Sequence, residues 1–174
     1  MKKTILLLLV ITCTYIGIGK FMEQSEMIPN EAIRMRIIPN SNTNYDQSIK
    51  LKVKEEVEKT VFSTLKDTKG IESARKELNQ HLPQIDKTVK TVLDREKYTL
   101  PYTIHYGMNY FPEKEYKGIT YKEGEYESLV VTLGEGKGDN WWCVLFPPLC
   151  MVEAEESDEV EYKLFVEELI DKYL

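Results

Sequence analysis

Cys143 and Cys150 bracket the segment of this chain richest in chemical possibility, Trp141-Trp142-Cys143-Val144-Leu145-Phe146-Pro147-Pro148-Leu149-Cys150. It holds both tryptophans and two of the three cysteines. The spacing is not C-x-x-C, so a thioredoxin-like redox pair is not expected. Two cysteines left over in an exported domain favour a structural disulfide. Such a bond needs its α-carbons within about 7 Å. Seven helical steps span about 10.5 Å and a strand spans more, so a bond between these two residues requires the chain to reverse. Pro147-Pro148 suits that reversal. Closing the loop stabilises a fold by about 2.5 kcal/mol in the chain-entropy model. The segment admits three readings. It is a stapled piece of core, a stiff aromatic surface for a partner, or an insertion into a membrane interface. In the second, Trp141, Trp142, Val144, Leu145, Phe146, Pro147 and Pro148 form the partner-binding surface, because pre-ordered aromatic anchors lose little entropy on docking.

Catalytic chemistry has less to work with. His81 and His105 are the only histidines. One falls on a helical pattern and the other in a strand pattern, and no zinc-ligand spacing, H-E-x-x-H or G-x-S-x-G occurs. Gly134-Glu135-Gly136-Lys137-Gly138 looks like a phosphate loop only superficially, since it lacks G-K-[ST]. The carboxylates between Glu153 and Glu161 read as the solvated start of a helix, with weak calcium binding as the alternative. The residues therefore point away from an enzyme and imply neither metal nor cofactor.

These residues need a scaffold and a compartment. Lys2 and Lys3 precede an uncharged apolar run, Ile5 to Ile18, with Gly17 and Gly19 at its exit. This is the layout of a secretory signal over residues 1–19, either cleaved or kept as an N-terminal anchor. Fourteen residues fall short of the roughly 18 needed to cross a bilayer comfortably. Loss of Lys2 and Lys3 moves the formal charge from -6 to -8. So acidic a domain repels nucleic acid and anionic lipid. Residues 20–32 read as a linker. A single α+β domain is expected over 33–152, and an acidic helix over 153–174.

Within that domain Ile33, Met35 and Ile37 alternate as a strand, ended by Pro39-Asn40-Ser41-Asn42. Asp46 is placed to cap a helix over about 47–66, with Ile49, Val53, Val57, Val61 and Leu65 on one face. Gly70 breaks it. Ile71 to Leu82 marks a second helix and Ile85 to Lys97 a third, with Pro83 at the start of the third. Tyr102 to Tyr106, Tyr116 to Tyr121 and Tyr126 to Leu133 read as strands of a small, mostly antiparallel sheet, and a final helix begins near Asp158.

Asn140 to Cys150 resembles the signature of the stage II sporulation protein R family of spore-forming Bacillota. Ile33-Arg34, Ile37-Ile38, Asn40-Ser41, Asp46-Gln47, Lys50-Leu51, Val53, Phe111-Pro112, Tyr116, Gly118, Gly124-Glu125-Tyr126-Glu127 and Gly134-x-Gly-x-Gly extend the likeness over about 30–152. Arg36, Pro39 and Ser128 depart from it. The resemblance implies an exported forespore signal, acting between forespore and mother cell. Its partner would be a membrane-embedded aspartic protease of the mother cell that matures the sigma-E precursor. Activation would follow from tighter binding to the active arrangement of that protease. Membrane contact of the chain itself is expected only through its N-terminal segment. The alternative is a secreted wall-associated enzyme or wall-binding module.

Overall fold

Alternation and helical periodicity place the main elements, and the way they pair follows from which faces are apolar. The computed structural model describes residues 31–116, 119–149, 172 and 173. In chain order these are β1 (Ile33–Ile38), α1 (Asn44–Leu65), α2 (Ile71–Arg95), β2 (Tyr102–Phe111), β3 (Lys114–Tyr116), β4 (Ile119–Tyr121), β5 (Gly124–Leu133) and β6 (Trp141–Phe146). Thr43 caps α1, its Oγ1 accepting from the Asp46 N–H at 3.3 Å. Asp46 is therefore one turn inside the helix rather than its cap.

The four-stranded sheet runs β2-β5-β1-β6. β2 and β5 form a long antiparallel hairpin, and β3 and β4 form a separate ribbon at its tip. β1 enters between β5 and β6, parallel to the first and antiparallel to the second. One face of the sheet carries Ile33, Met35, Ile37, Leu129, Val131 and Leu133, all fully buried. Both helices pack on that face through Ile49, Val53, Val57, Ala74, Leu78, Ile85 and Val89. A half-buried ion pair binds the second helix to the hairpin: Arg75 of α2 donates to Glu127 at 2.9 Å through Nε and contacts it at 2.8 Å through Nη2. Tyr106 donates to the same carboxylate at 2.7 Å.

Three expectations are corrected here. The three helices expected are two, because α2 runs unbroken through Pro83. Its buried positions Ala74, Leu78, Ile85, Val89 and Val92 keep one stripe across the proline. Burying that stripe outweighs the lost hydrogen bond, a cost of about 3 kcal/mol. The mostly antiparallel sheet is mixed, because β1 pairs with strands far from it in sequence, which no local pattern encodes. β2 does not end at Gly107 but continues to Phe111. Gly107 has φ 154, a backbone conformation that glycine reaches without strain.

The last described element is β6. The acidic helix expected from Asp158 lies outside the described residues, although Lys172 and Tyr173 have helical backbone. Tyr173 sits against Phe146, ring centroids 6.1 Å apart, and its carbonyl accepts from Gly70 N–H at 3.2 Å. The signal segment and nearly all of the linker also lie outside. No helix among the described residues is long and apolar enough to cross a membrane. The expected membrane contact through the N-terminal segment falls on residues outside those described.

Pro83 is exposed, so its backbone defect can be repaired without disturbing the core. Pro83→Ala restores a helical donor and should raise stability by about 1–3 kcal/mol, read from the urea midpoint. A lower midpoint would show that α2 needs the proline.

Candidate functional site

Alternation along β1 sends Ile33, Met35 and Ile37 toward the helices, and Arg34, Arg36 and Ile38 to the opposite face. The register carries that division across the sheet. His105 of β2 pairs with Val130 of β5, Val130 with Arg36, and Arg36 with Trp142 of β6. These four side chains make a row over the whole helix-free face. His105 is exposed and the other three are half-buried.

Arg36 is the centre of this row. Its guanidinium carbon lies 4.5 Å from the centroid of the Trp142 ring and 5.9 Å from that of Phe111. With the Asn140 amide turned so that its oxygen meets the arginine, Nε and Nη2 donate to it at 3.0 and 2.6 Å. Nη1 donates to the Tyr110 carbonyl at 3.4 Å. Partial burial pulls the guanidinium pKa below its ordinary value. Below this row Arg34 lies 3.3 Å from the Tyr126 ring centroid, and Phe111 meets Trp142 edge-on at 4.7 Å. The face is thus layered as arginine and aromatic in turn, an arrangement that rigidifies both partners.

A polar node at the end of β1 holds this face in register. Asp46 accepts from Asn40 Nδ2 at 3.0 Å and from Ser41 Oγ at 2.5 Å. Burial would raise this carboxyl, but the hydrogen bonds from Ser41, Asn40 and Thr43 prevail and hold it below the ordinary aspartate value. The glycine loop closes over the node. Glu135 N–H donates to Asn40 Oδ1 at 3.0 Å, Lys137 N–H to Asn40 O at 3.1 Å, and Gly138 N–H to Pro39 O at 3.0 Å. Lys50 reaches up from α1 to the Asp139 carbonyl at 2.9 Å. A Cβ at Gly134 would stand 2.8 Å from Asn40 Cβ, and Gly134 has φ 58. This loop is a clasp around Asn40, not a phosphate cradle.

The residues expected to form one partner surface are divided by strand alternation. Trp141 turns toward the helices, with Lys54 Nζ 5.1 Å from its ring centroid. Trp142 lies on the helix-free face. Val144 is 7% exposed and sits in a small cluster with Ala32, Tyr121 and Leu149. Leu145 and Phe146 are 2% and 0% exposed and belong to the main core. Pro147 and Pro148 are buried too, where the chain turns after β6. Cys143 is disulfide-bonded and has no titrating thiol. Its partner lies outside the described residues, as does Cys150. No disulfide joins two described residues, and the expected Cys143–Cys150 bond reaches a residue outside them. Cys143 is held by the pairing of β6 with β1, in which it faces Met35.

The sequence reading missed that Arg36, Val130 and His105 share a row with Trp142. The alternation of Arg34 and Arg36 against Ile33, Met35 and Ile37 was the available signal. The two histidines stay apart, His81 Nδ1 lying 2.8 Å from the Glu77 carbonyl and His105 Nδ1 3.1 Å from Asn109 Oδ1. Among the described residues no group of three or more His, Cys, Asp or Glu side chains is placed to hold a metal ion.

Comparison with known proteins covers the elements just described. A family model described as stage II sporulation protein R matches residues 29–156. The chain belongs to this family. The stage II sporulation protein R of Bacillus subtilis (strain 168) is 35% identical over 171 residues, covering 92% of this chain and 76% of the relative. No solved structure matches. The resemblance residues Asn40, Ser41, Asp46, Gln47 and Lys50 and the three loop glycines all meet in the node. In this member of the family they hold the fold together at one end of the sheet.

Removing the central acceptor strands two donors. Asp46→Ala should cost about 2–3 kcal/mol of stability, measured by urea unfolding. The folded pKa is depressed, so the stabilisation is whole above about pH 4, the ordinary aspartate value, and is lost as pH falls through the folded value. Asp46→Asn should flatten that acid limb. An unchanged limb would show that Asp46 does not carry it. Gly134→Ala should lose more than about 1 kcal/mol through its positive φ and the clash with Asn40, and an unchanged melting temperature would contradict the clasp.

Proposed function

We propose that this protein is an exported sporulation signal that works by contact. Released from the forespore into the space facing the mother cell, it activates a membrane-embedded aspartic protease there. That protease then matures the sigma-E precursor. Family membership carries this reading. The helix-free face supports it, because that face offers a rigid, half-buried tryptophan and arginine row and neither described helix lies over it.

The physical requirement on such a signal is differential affinity. The domain must bind the active arrangement of the protease more tightly than the inactive one, by about 5.5 kcal/mol if it is to move a 1:99 equilibrium to 99:1. A pre-ordered face serves this, since little binding energy goes into ordering the ligand. Of the residues first expected to make the contact, Trp142 and Val144 lie on this face, and the proposal centres on Trp142 because Val144 is buried.

The test is co-expression of the protein, the protease and the sigma-factor precursor in a non-sporulating host. Cleavage of the precursor only when this chain is present is the expected result. Trp142→Ala, in a variant shown to be folded by circular dichroism, should reduce cleavage at least about tenfold. Cleavage independent of the chain, or turnover of peptidoglycan by the purified domain, would overturn the reading.

A further inference from the structure

The strands of the helix-free face carry Arg34, Arg36 and His105 and no carboxylate. Their remaining positions there are Thr103, Gly107, Asn109, Phe111, Tyr126, Ser128, Val130, Thr132, Ile38, Trp142 and Val144. This is unusual in a chain with formal net charge -6. The acidic side chains of β5, Glu125 and Glu127, have the opposite parity, and Glu127 is consumed by Arg75 and Tyr106. Positive charge is thus concentrated on the one face that the helices leave uncovered.

Arg36 has five N–H groups. Among the described residues three bonds are made, two to Asn140 and one long bond to Tyr110. Two donors remain, on a guanidinium held by Asn140 with its carbon 4.5 Å from the Trp142 ring centroid. A planar fork held in place beside an apolar ring is matched by a carboxylate, which accepts two such bonds at once. Phosphate has the same appetite, but the general acidity of the domain opposes a polyanionic lipid or nucleic-acid surface.

We propose that the helix-free face receives a carboxylate side chain from an acidic segment of the protein partner, and that Arg36 is its receptor beside Trp142. This rests on the contact reading given above and names the chemistry of the contact. Trp142 supplies the apolar wall that excludes water from the pair, and Val130 and Ile38 continue that wall along the row. The partner segment therefore carries an aspartate or glutamate flanked by apolar residues.

The test uses the full chain and the detergent-solubilised protease, with binding followed by fluorescence anisotropy. Wild-type binding should weaken severalfold between 50 and 300 mM salt, on the order expected for a partly exposed charge pair. Arg36→Met keeps an apolar stem beside the Trp142 ring and removes the charge, and in a variant shown to be folded by circular dichroism it should weaken binding about tenfold or more. Arg36→Lys should recover only part of this, since a point charge replaces a fork. Arg36→Glu should be rescued by an Asp or Glu→Arg change in an outward-facing segment of the protease.

Full affinity in Arg36→Met together with loss in Trp142→Ala would overturn the carboxylate receptor while leaving the contact reading intact. Full affinity in both, or no binding by the wild type, would remove both. A gain in wild-type affinity on changing Glu153, Glu155, Glu156, Asp158, Glu159 and Glu161 to amides, with Arg36→Met indifferent to that change, would place the occupant in this chain's own acidic run and overturn a partner in trans.

Discussion

Placing β1 between β5 and β6 imposes one crossing on the chain. The loop from Gly134 to Asn140 joins strands on either side of β1, so it has to pass over the end of that strand. Two backbones then approach more closely than side chains allow. Gly134 lies against Asn40, and Gly138 against Pro39 and the Ser41 carbonyl. The Asp46 carboxylate holds the lower strand of the crossing by gathering Asn40 and Ser41, and the amides of Glu135, Lys137 and Gly138 clamp the upper one. Without this crossing, β6 would have no reason to pair with β1, and Trp142 would not meet Arg36.

The same constraint explains why the motif residues are scattered in sequence. A turn at 39–43, the first turns of α1 and a loop almost a hundred residues later solve a single problem of approach. The undecapeptide continues the solution. Asn140 leaves the clasp and orients Arg36, Trp142 lies over that arginine, and Leu145 and Phe146 anchor the strand in the core. Structure and site therefore share one stretch of chain, with core and face residues alternating along it.

Much of the local structure was legible. Period-two alternation marked β1, four-residue spacing marked α1, and the β-branched run of β5 needed no tertiary information. What failed was non-local or balanced between terms. Pro83 looked like a boundary because local rules weigh its lost donor, whereas the stripe from Leu78 to Ile85 weighs the core and prevails. Gly107 looked like an end because glycine often punctuates, yet here it passes through β2. The segment 141–146 looked like a single contact patch because its apolar residues are nearly continuous. It is an edge strand, and its residues divide between two faces, which only the pairing with β1 reveals. The glycines at 134, 136 and 138 were visible, but the strand they cross was not.

The most direct measurement places a photo-crosslinking benzoylphenylalanine at Trp142 on the helix-free face, or at Phe62, which is 38% exposed on α1. Each variant is expressed with the protease, and the covalent adducts are mapped. Adducts from position 142 to an outward-facing segment of the protease, with none from position 62, are the predicted result. Adducts from position 62 with none from position 142 would contradict recognition through the arginine and tryptophan row.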